Sequence, residues 1–330
     1  MTFRPTASIE TLRQRAALLA ATRAFFVEHG YWECETPLLS HDVVVDANLD
    51  PLTSQVGDET LFLQTSPEAG MKRLLADGAT AIFQITRSFR QGERGPLHNP
   101  EFTMLEWYRL GDTHHDQMSL VEQLVQHVYE QASNLVGSNR PSTGESTFEK
   151  LTYDEAFERH AGQRVLRLET DDLIEIARQH SIVAPQSLCA EDRDGWLNLL
   201  LAELVEPQLG KTTPTFLYDY PASQCALARI RNDDPPVAER FELYDRGIEL
   251  CNGYQELTDP DELARRTQVE QKIRRANAHP DLPGAVRLEA AMRAGLPECS
   301  GVALGFDRLV MLALGKTEID EVIAFPIERA

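Results

Sequence analysis

The stretches at 81–90, AIFQITRSFR, and 102–110, FTMLEWYRL, constrain the fold more than any other part of the chain. Each reads as a β-strand, and the polar QGERGPLHNPE joins them. Successive strand side chains point to opposite faces. Phe102, Met104, Glu106 and Tyr108 therefore share one face, and Thr103, Leu105 and Trp107 share the other. The second set suits a core. The first puts a ring, a carboxylate and a phenol on one surface, with Arg87 and Arg90 expected beside them on the partner strand. A solvated face with an ion pair has the same pattern. Trp and Tyr also pack well on strands for their own reasons. The pair by itself decides nothing about function.

Around it, Ser8 to His29 reads as a helix. Ile9, Leu12, Ala16, Leu19 and Phe26 recur at helical spacing, and Gly30 stands where a left-handed cap would stop it. In YWECETPLLS, Pro37 interrupts any regular ladder. The chain then reads as mostly helical from about 115 to 210, including 117–133, 169–180 and 192–206. Strand signals return in PTFLYDY and FELYDRGIELCNGYQEL. A charged helix, DPDELARRTQVEQKIRRANA, is followed by the strand GVALGF and the helix DRLVMLAL. No repeat or low-complexity linker is visible. The pattern predicts a single α+β domain over residues 1–330, with strands grouped around 60–110 and 214–306 and a helical insertion between them.

Composition narrows the function classes. The 330 residues are 42% apolar, enough for a substantial core. No run of about 18 apolar residues exists to span a membrane, and the N-terminus lacks a secretory pattern. The five scattered cysteines include no C-x-x-C pair, which suits reduced thiols in a cytoplasmic protein. Thirty-two basic against 52 acidic residues give a net charge of −20, with only five lysines among the basic ones. Nucleic-acid binders normally carry the opposite balance.

The end of the chain adds a ligand signal. Gly301, Ala303 and Gly305 lie on one strand face and leave it nearly bare, so that a ligand could approach the backbone. Asp307 is expected at the cap of the next helix. Arg308 then falls in the first turn, where a cation is unfavourable unless an anion is near.

Three separated segments resemble the signature motifs of class II aminoacyl-tRNA synthetases. The helix with YWECETPLL resembles motif 1, the dimer-forming element. FQITRSFRQGERGPLHNPEFTMLEWYR resembles motif 2, and GVALGFDRLVMLALG resembles motif 3. TSPEAGMKRLL, HNPEFTMLEWY and GIELCNGYQEL are most similar to the lysyl-tRNA synthetase branch. Motif 1 begins almost at the first residue, so the anticodon-reading barrel of that branch is expected to be absent. The truncated arrangement, with PASQ, GIEL-NG and EVIAF, resembles the elongation factor P–(R)-β-lysine ligase family. That resemblance implies the class II catalytic fold, an antiparallel sheet flanked by helices. It also implies activation of (R)-β-lysine as an adenylate and transfer to a lysine of elongation factor P. A homodimer using ATP and Mg²⁺ is implied, and tRNA is not the expected partner.

The roles that follow are those the resemblance implies. Arg90 clamps the α-phosphate and the substrate carboxylate, and Arg308 the γ-phosphate side. Phe102 stacks on adenine, with the Arg308 guanidinium on the other face. Gln91, Gly92, Glu93, His98, Asn99, Glu249, Leu250 and Gly305 complete the ATP set. Glu242 and Glu249 are the magnesium ligands. Ser66, Pro67, Glu68, Glu106, Tyr108, Asn252, Glu256 and Ala303 bind the amino acid. Its two ammonium groups account for the surplus of acids, with Glu256 and Tyr108 on the terminal amine and Glu68 and Glu106 on the other. Without ligand those acids should show raised pKa values. Asn252, Tyr254 and Glu256 share parity and Glu249 does not, which predicts a bulge or turn between Glu249 and Asn252.

Two departures qualify this. Motif 2 usually continues Arg-x-Glu, whereas Arg90-Gln91 is followed here by Gly92 and then Glu93. Either Glu93 takes the adenine contact, or the backbone of Gln91 and Gly92 does. Ala303 stands where lysyl-tRNA synthetases usually have glycine, and its methyl would crowd an α-amine. Cys225, Cys251 and Cys299 read as packing residues, and His114–His115 as loop surface. The alternatives are a lysine-activating ligase acting on tRNA or another acceptor, and a non-catalytic synthetase-like regulator.

Overall fold

The computed structural model describes residues 3–137 and 147–330; residues 138–146 of the expected helical insertion lie outside the described residues. The chain opens with α1 (Ile9–Glu28), β1 (Trp32–Glu33), β2 (Leu39–Ser40), β3 (Thr53–Val56) and β4 (Glu59–Leu63). There follow α2 (Glu68–Ala76), β5 (Ala81–Phe89), β6 (Glu101–Leu110) and α3 (His114–Val136). Next come β7 (Glu149–Thr152), α4 (Tyr153–Ala161), α5 (Thr170–Gln179) and α6 (Arg193–Leu200). Then come β8 (Thr215–Pro221), β9 (Ile230–Arg231), β10 (Val237–Asp245) and β11 (Ile248–Gln255). The chain closes with α7 (Pro260–Ala276), α8 (Val286–Gly295), β12 (Cys299–Gly305) and α9 (Phe306–Ala313). The elements form two compact units, Met1–Ser142 with Glu256–Ala330, and Thr143–Gln255.

In the first unit the strand order is β1-β5-β6-β12, with β2-β4-β3 as a separate small sheet. β5, β6 and β12 are antiparallel, while β1 pairs in parallel with β5. A parallel neighbour needs a long crossover, and residues 34–80 supply it. The sheet is therefore mixed rather than purely antiparallel. Phe26 packs on Phe83 and Trp107, with ring centroids 4.8 and 5.0 Å away. The buried Trp107 Nε1 donates to Gln117 at 2.7 Å, which satisfies the indole inside the core.

Helix α1 starts where Ser8 Oγ accepts from the Thr11 backbone N–H at 3.0 Å. It is followed by Gly30 at φ +80°. Its buried stripe, however, is Thr11, Arg15, Leu18, Thr22, Phe25 and Phe26. Of the apolar residues expected inside, only Phe26 is buried, and Ile9 is 60% exposed. The polar side turns inward because its groups find partners there. Arg15 Nη2 lies 2.5 Å from Asp307 Oδ1 and donates to Thr103 Oγ1 at 2.8 Å. Asp307 is accordingly not the cap of α9, a position that Gly305 holds; its Oδ2 accepts from the Thr103 backbone N–H. His114 also departs from the reading as loop surface, being buried in the first turn of α3.

In the second unit the order is β11-β10-β8-β7, with β9 on β10. The β7–β8 pair is parallel, and its crossover carries α4 to α6. These helices close a core of Tyr153, Phe157, Leu173, Ile176, Trp196 and Leu200 against Leu217 and Tyr220 of β8. Helix α6 runs directly into a π-helical turn, Leu201–Val205.

Candidate active site

Face and register place the first unit's polar groups. On β6 both faces are buried, so Glu106 and Tyr108 are as inaccessible as Leu105 and Trp107. β12 runs alongside with Gly301 opposite Tyr108, Ala303 opposite Glu106 and Gly305 opposite Met104. Directly paired residues share a face, so the bare side of β12 makes room for the bulky side of β6. A Cβ on Gly301 would lie 2.2 Å from a Tyr108 ring carbon and 2.8 Å from Glu256 Oε1. Glycine is required there by close approach.

The amine-binding candidates form one hydrogen-bonded cluster. Ser66 Oγ donates to Glu106 Oε1 at 2.5 Å and accepts from the Glu68 backbone N–H at 3.0 Å, across the Pro67 turn that opens α2. Tyr108 donates its hydroxyl to Glu106 Oε2 at 2.9 Å. Glu68 and Glu256 instead converge on Lys72, whose Nζ lies 2.5 Å from a carboxylate oxygen of each. Burial, with the charge of Glu68 behind it, pushes Glu106 up to about 7. Burial likewise pushes Glu256 up to about 8, although Lys72 opposes it. Glu106 and Glu256 are raised as the sequence leads one to expect, with burial rather than repulsion between the acids as the larger cause. Lys72 was not foreseen, since nothing in TSPEAGMKRLL distinguishes it from an ordinary surface helix cation.

The phosphate and adenine candidates lie on the motif 2 loop and α9. Arg90 sits over the Phe102 ring, with 5.0 Å from its guanidinium carbon to the ring centroid. That is the ring face on which the adenine is expected to stack. The Arg90 Nη1 lies 3.5 Å from Glu93 Oε1, while its buried Nε has no hydrogen-bond partner. An orphaned guanidinium donor over a half-buried ring suits a nucleotide phosphate and base. Arg308 turns toward the loop tip, donating to Leu97 O at 3.3 Å and to His98 Nε2 at 2.6 Å. Burial, then the charge of Arg308, lowers the His98 pKa, consistent with a neutral ring accepting this bond.

Gly92 takes a left-handed φ of +79°, and the Gln91 N–H is bound to Asp50 O at 2.9 Å. Asn99 uses both ends of its amide on the backbone, donating to Glu101 O and accepting from Ile327 N–H. Its side chain braces the loop. Arg87 pairs with Thr103 in the ladder and donates to its hydroxyl at 2.9 Å. It lies on the opposite face from Phe102 and takes no part in this group.

The second unit carries the remaining candidates. The β10–β11 register shifts between Leu243 and Tyr244: Leu243 pairs Cys251, whereas Tyr244 pairs Glu249. Leu250 is the extra residue of a bulge, in the interval where parity required one. Glu242 pairs Asn252 on the next rung, so the bulge brings Glu242, Glu249 and Asn252 onto one face. Glu242 accepts from Tyr220 and Tyr244 hydroxyls at 2.6 Å each, from Arg240 at 2.5 Å and from Asn252 at 3.2 Å. Arg240 lies 4.4 Å over the Tyr220 ring and was not foreseen. Asn252 Oδ1 is buried without a partner, an acceptor suited to an ammonium group.

Among the described residues, no group of three or more His, Cys, Asp or Glu converges as a metal site. Two carboxylates on one face still fit a nucleotide-bound Mg²⁺, because phosphate oxygens and water supply its other ligands. The acceptor positions of Glu242 are filled by its protein donors, so in that arrangement it would stand behind the metal rather than ligate it directly. No disulfide joins any of the five cysteines.

A family model described as tRNA synthetases class II (D, K and N) matches residues 1–329, and the chain belongs to that family. Within it, the chain is 45% identical to an elongation factor P--(R)-beta-lysine ligase of Vibrio cholerae over 335 residues, 99% of this chain and 98% of that protein. It is equally 45% identical, over 338 residues, to proteins of the same name from Salmonella dublin and Salmonella paratyphi B, covering all of this chain and 98% of theirs.

Proposed function

We infer that this protein activates (R)-β-lysine with ATP and ligates it to a lysine side chain of elongation factor P. The observation that carries the reading is the carboxylate cluster of half-buried Glu68 with buried Glu106 and Glu256, with Ala303 directly opposite Glu106. Lys72 pairs with Glu68 and Glu256, while Glu106 is held by Ser66 and Tyr108, so a substrate with two ammonium groups would balance the three acids and one cation of the cluster. The Ala303 methyl stands beside the acid that would take an amine, which favours an amine moved one carbon from the carboxylate. A pocket methyl contributes about 1–3 kcal/mol of discrimination.

The chemistry needs the substrate carboxylate to attack the α-phosphate in line, with diphosphate leaving. Arg90 Nε and its fork would hold the carboxylate and α-phosphate together, and Phe102 would take the adenine when Arg90 swings off its ring. Arg308, backed by neutral His98, would hold the outer phosphates. Glu249, with Glu242 behind it, would hold Mg²⁺, which neutralises charge on the phosphate oxygens when bound. An acceptor amine then attacks the mixed anhydride and AMP leaves.

A protein acceptor rather than tRNA is supported by the net charge of −20 and by the names of the relatives. Incubation with ATP, Mg²⁺ and (R)-β-lysine tests this, with elongation factor P or tRNA as acceptor and intact mass as readout. Elongation factor P should gain one β-lysyl group; modification of tRNA alone would overturn the assignment. Exposed Trp32, Leu38 and Leu39 in the motif 1 segment support a homodimer, and sedimentation as a monomer at micromolar concentration would remove that part of the reading.

A further inference from the structure

Lys72 has no part in the chemistry derived above, yet its placement is costly unless it has one. It lies on α2, one turn after Glu68, and is 1% exposed. A lysine so buried ordinarily gives up its proton. Here burial works against the charge, but Glu256 and Glu68 more than offset it and hold the ammonium protonated. Glu256 is fixed independently, its N–H bound to Cys299 O at 3.0 Å and its Oε1 packed against Gly301. Lys72 therefore ties the helix that opens on the Ser66 turn to the strand that lines the cluster. Glu106 lies outside this tie, held by Ser66 and Tyr108.

We propose that Lys72 is a positioning and specificity residue: its ammonium aligns Glu68 with Glu256 and cancels one of the cluster's three acids, setting the charge the cluster accepts at two ammonium groups. This rests on the diamino acid reading for its consequence, but not for its electrostatics. Without the cation, the cluster keeps a proton it would otherwise release, so a dicationic substrate must displace it and binds more weakly. Arginine at this position preserves the cation. Methionine preserves volume without charge.

The test begins with substrate-free protein, using infrared difference titration of buried carboxylic acids in wild type, Lys72→Met and Lys72→Arg. The acid signal of Lys72→Met should persist at least one pH unit higher than in wild type, and that of Lys72→Arg should not. An identical titration in Lys72→Met and wild type overturns the proposal, as does an equal upward move in Lys72→Arg. In pyrophosphate exchange at pH 8, Lys72→Met should raise KM for the diamino acid about tenfold or more with kcat changed far less. Its KM–pH midpoint should move upward, and added propylammonium should move the midpoint of Lys72→Ala back. A raised KM with an unmoved midpoint and no amine rescue would reduce Lys72 to a packing residue. Wild type inactive with every diamino acid would sink the functional reading instead, while the infrared titration would still decide the role of Lys72.

Discussion

Glu106 shows how much at the residue scale depends on burial. A carboxyl raised from 4.5 to about 7 takes up a proton on folding. Its contribution to stability is full below its unfolded value and is lost as pH rises through about 7. Glu106→Gln should therefore raise the melting temperature at pH 8 and change it little at pH 5, the gain being on the order of 1–3 kcal/mol. An ammonium ligand needs the ionised form, so KM for the diamino acid should fall as pH rises toward 7 in wild type and lose that dependence in Glu106→Gln. Gly301→Ala places a methyl 2.2 Å from the Tyr108 ring. It should cost about 1–3 kcal/mol in stability and raise KM for the amino acid more than KM for ATP, measured by urea denaturation and initial rates.

Glu68, Glu106 and Glu256 were legible because acids in a synthetase-like frame stand out. Lys72 was not, because Glu68 and Lys72 have the i, i+4 spacing of an exposed ion pair. What buries it is Glu256, far along the chain. Arg240 escaped for the same reason: alternating charges on a strand do not disclose which face the rest of the fold will cover.

Elements were legible where period and punctuation agreed. The motif 2 strands and the α1 boundaries emerged almost as predicted, and the β11 bulge followed from parity once the resemblance had assigned Glu249 and Asn252 to one site. Inserting one residue between Leu243 and Tyr244 would give Leu250 a partner, restore an unbroken ladder and move Glu249 to the opposite face from Glu242. Magnesium-dependent ATP binding, followed by calorimetry, should be lost while the circular dichroism spectrum stays near wild type. The face of α1 was misjudged because periodicity counts apolar residues, whereas the buried side carries Thr11, Arg15 and Thr22. Arg15 joins α1 to Thr103 of β6 and Asp307 of α9. Arg15→Ala leaves that aspartate buried without its cation, at a cost of about 3–5 kcal/mol. A loss of unfolding free energy below about 1 kcal/mol in urea denaturation would contradict this account of the α1 face.

For the whole molecule, the α+β class and the family were legible because motifs well separated in sequence agreed. The parallel edge strands were not, since Trp32–Glu33 and Glu149–Thr152 are too short to carry a period. The −20 charge and the acid cluster bear on the acceptor and the donor respectively, and the donor is the central claim. ATP–pyrophosphate exchange with (R)-β-lysine and with L-lysine, in wild type and Ala303→Gly, tests it most directly. The account predicts a higher kcat/KM for (R)-β-lysine in wild type, with Ala303→Gly raising that for L-lysine about tenfold or more. Stronger exchange with L-lysine in the wild type, or none with either, would contradict it.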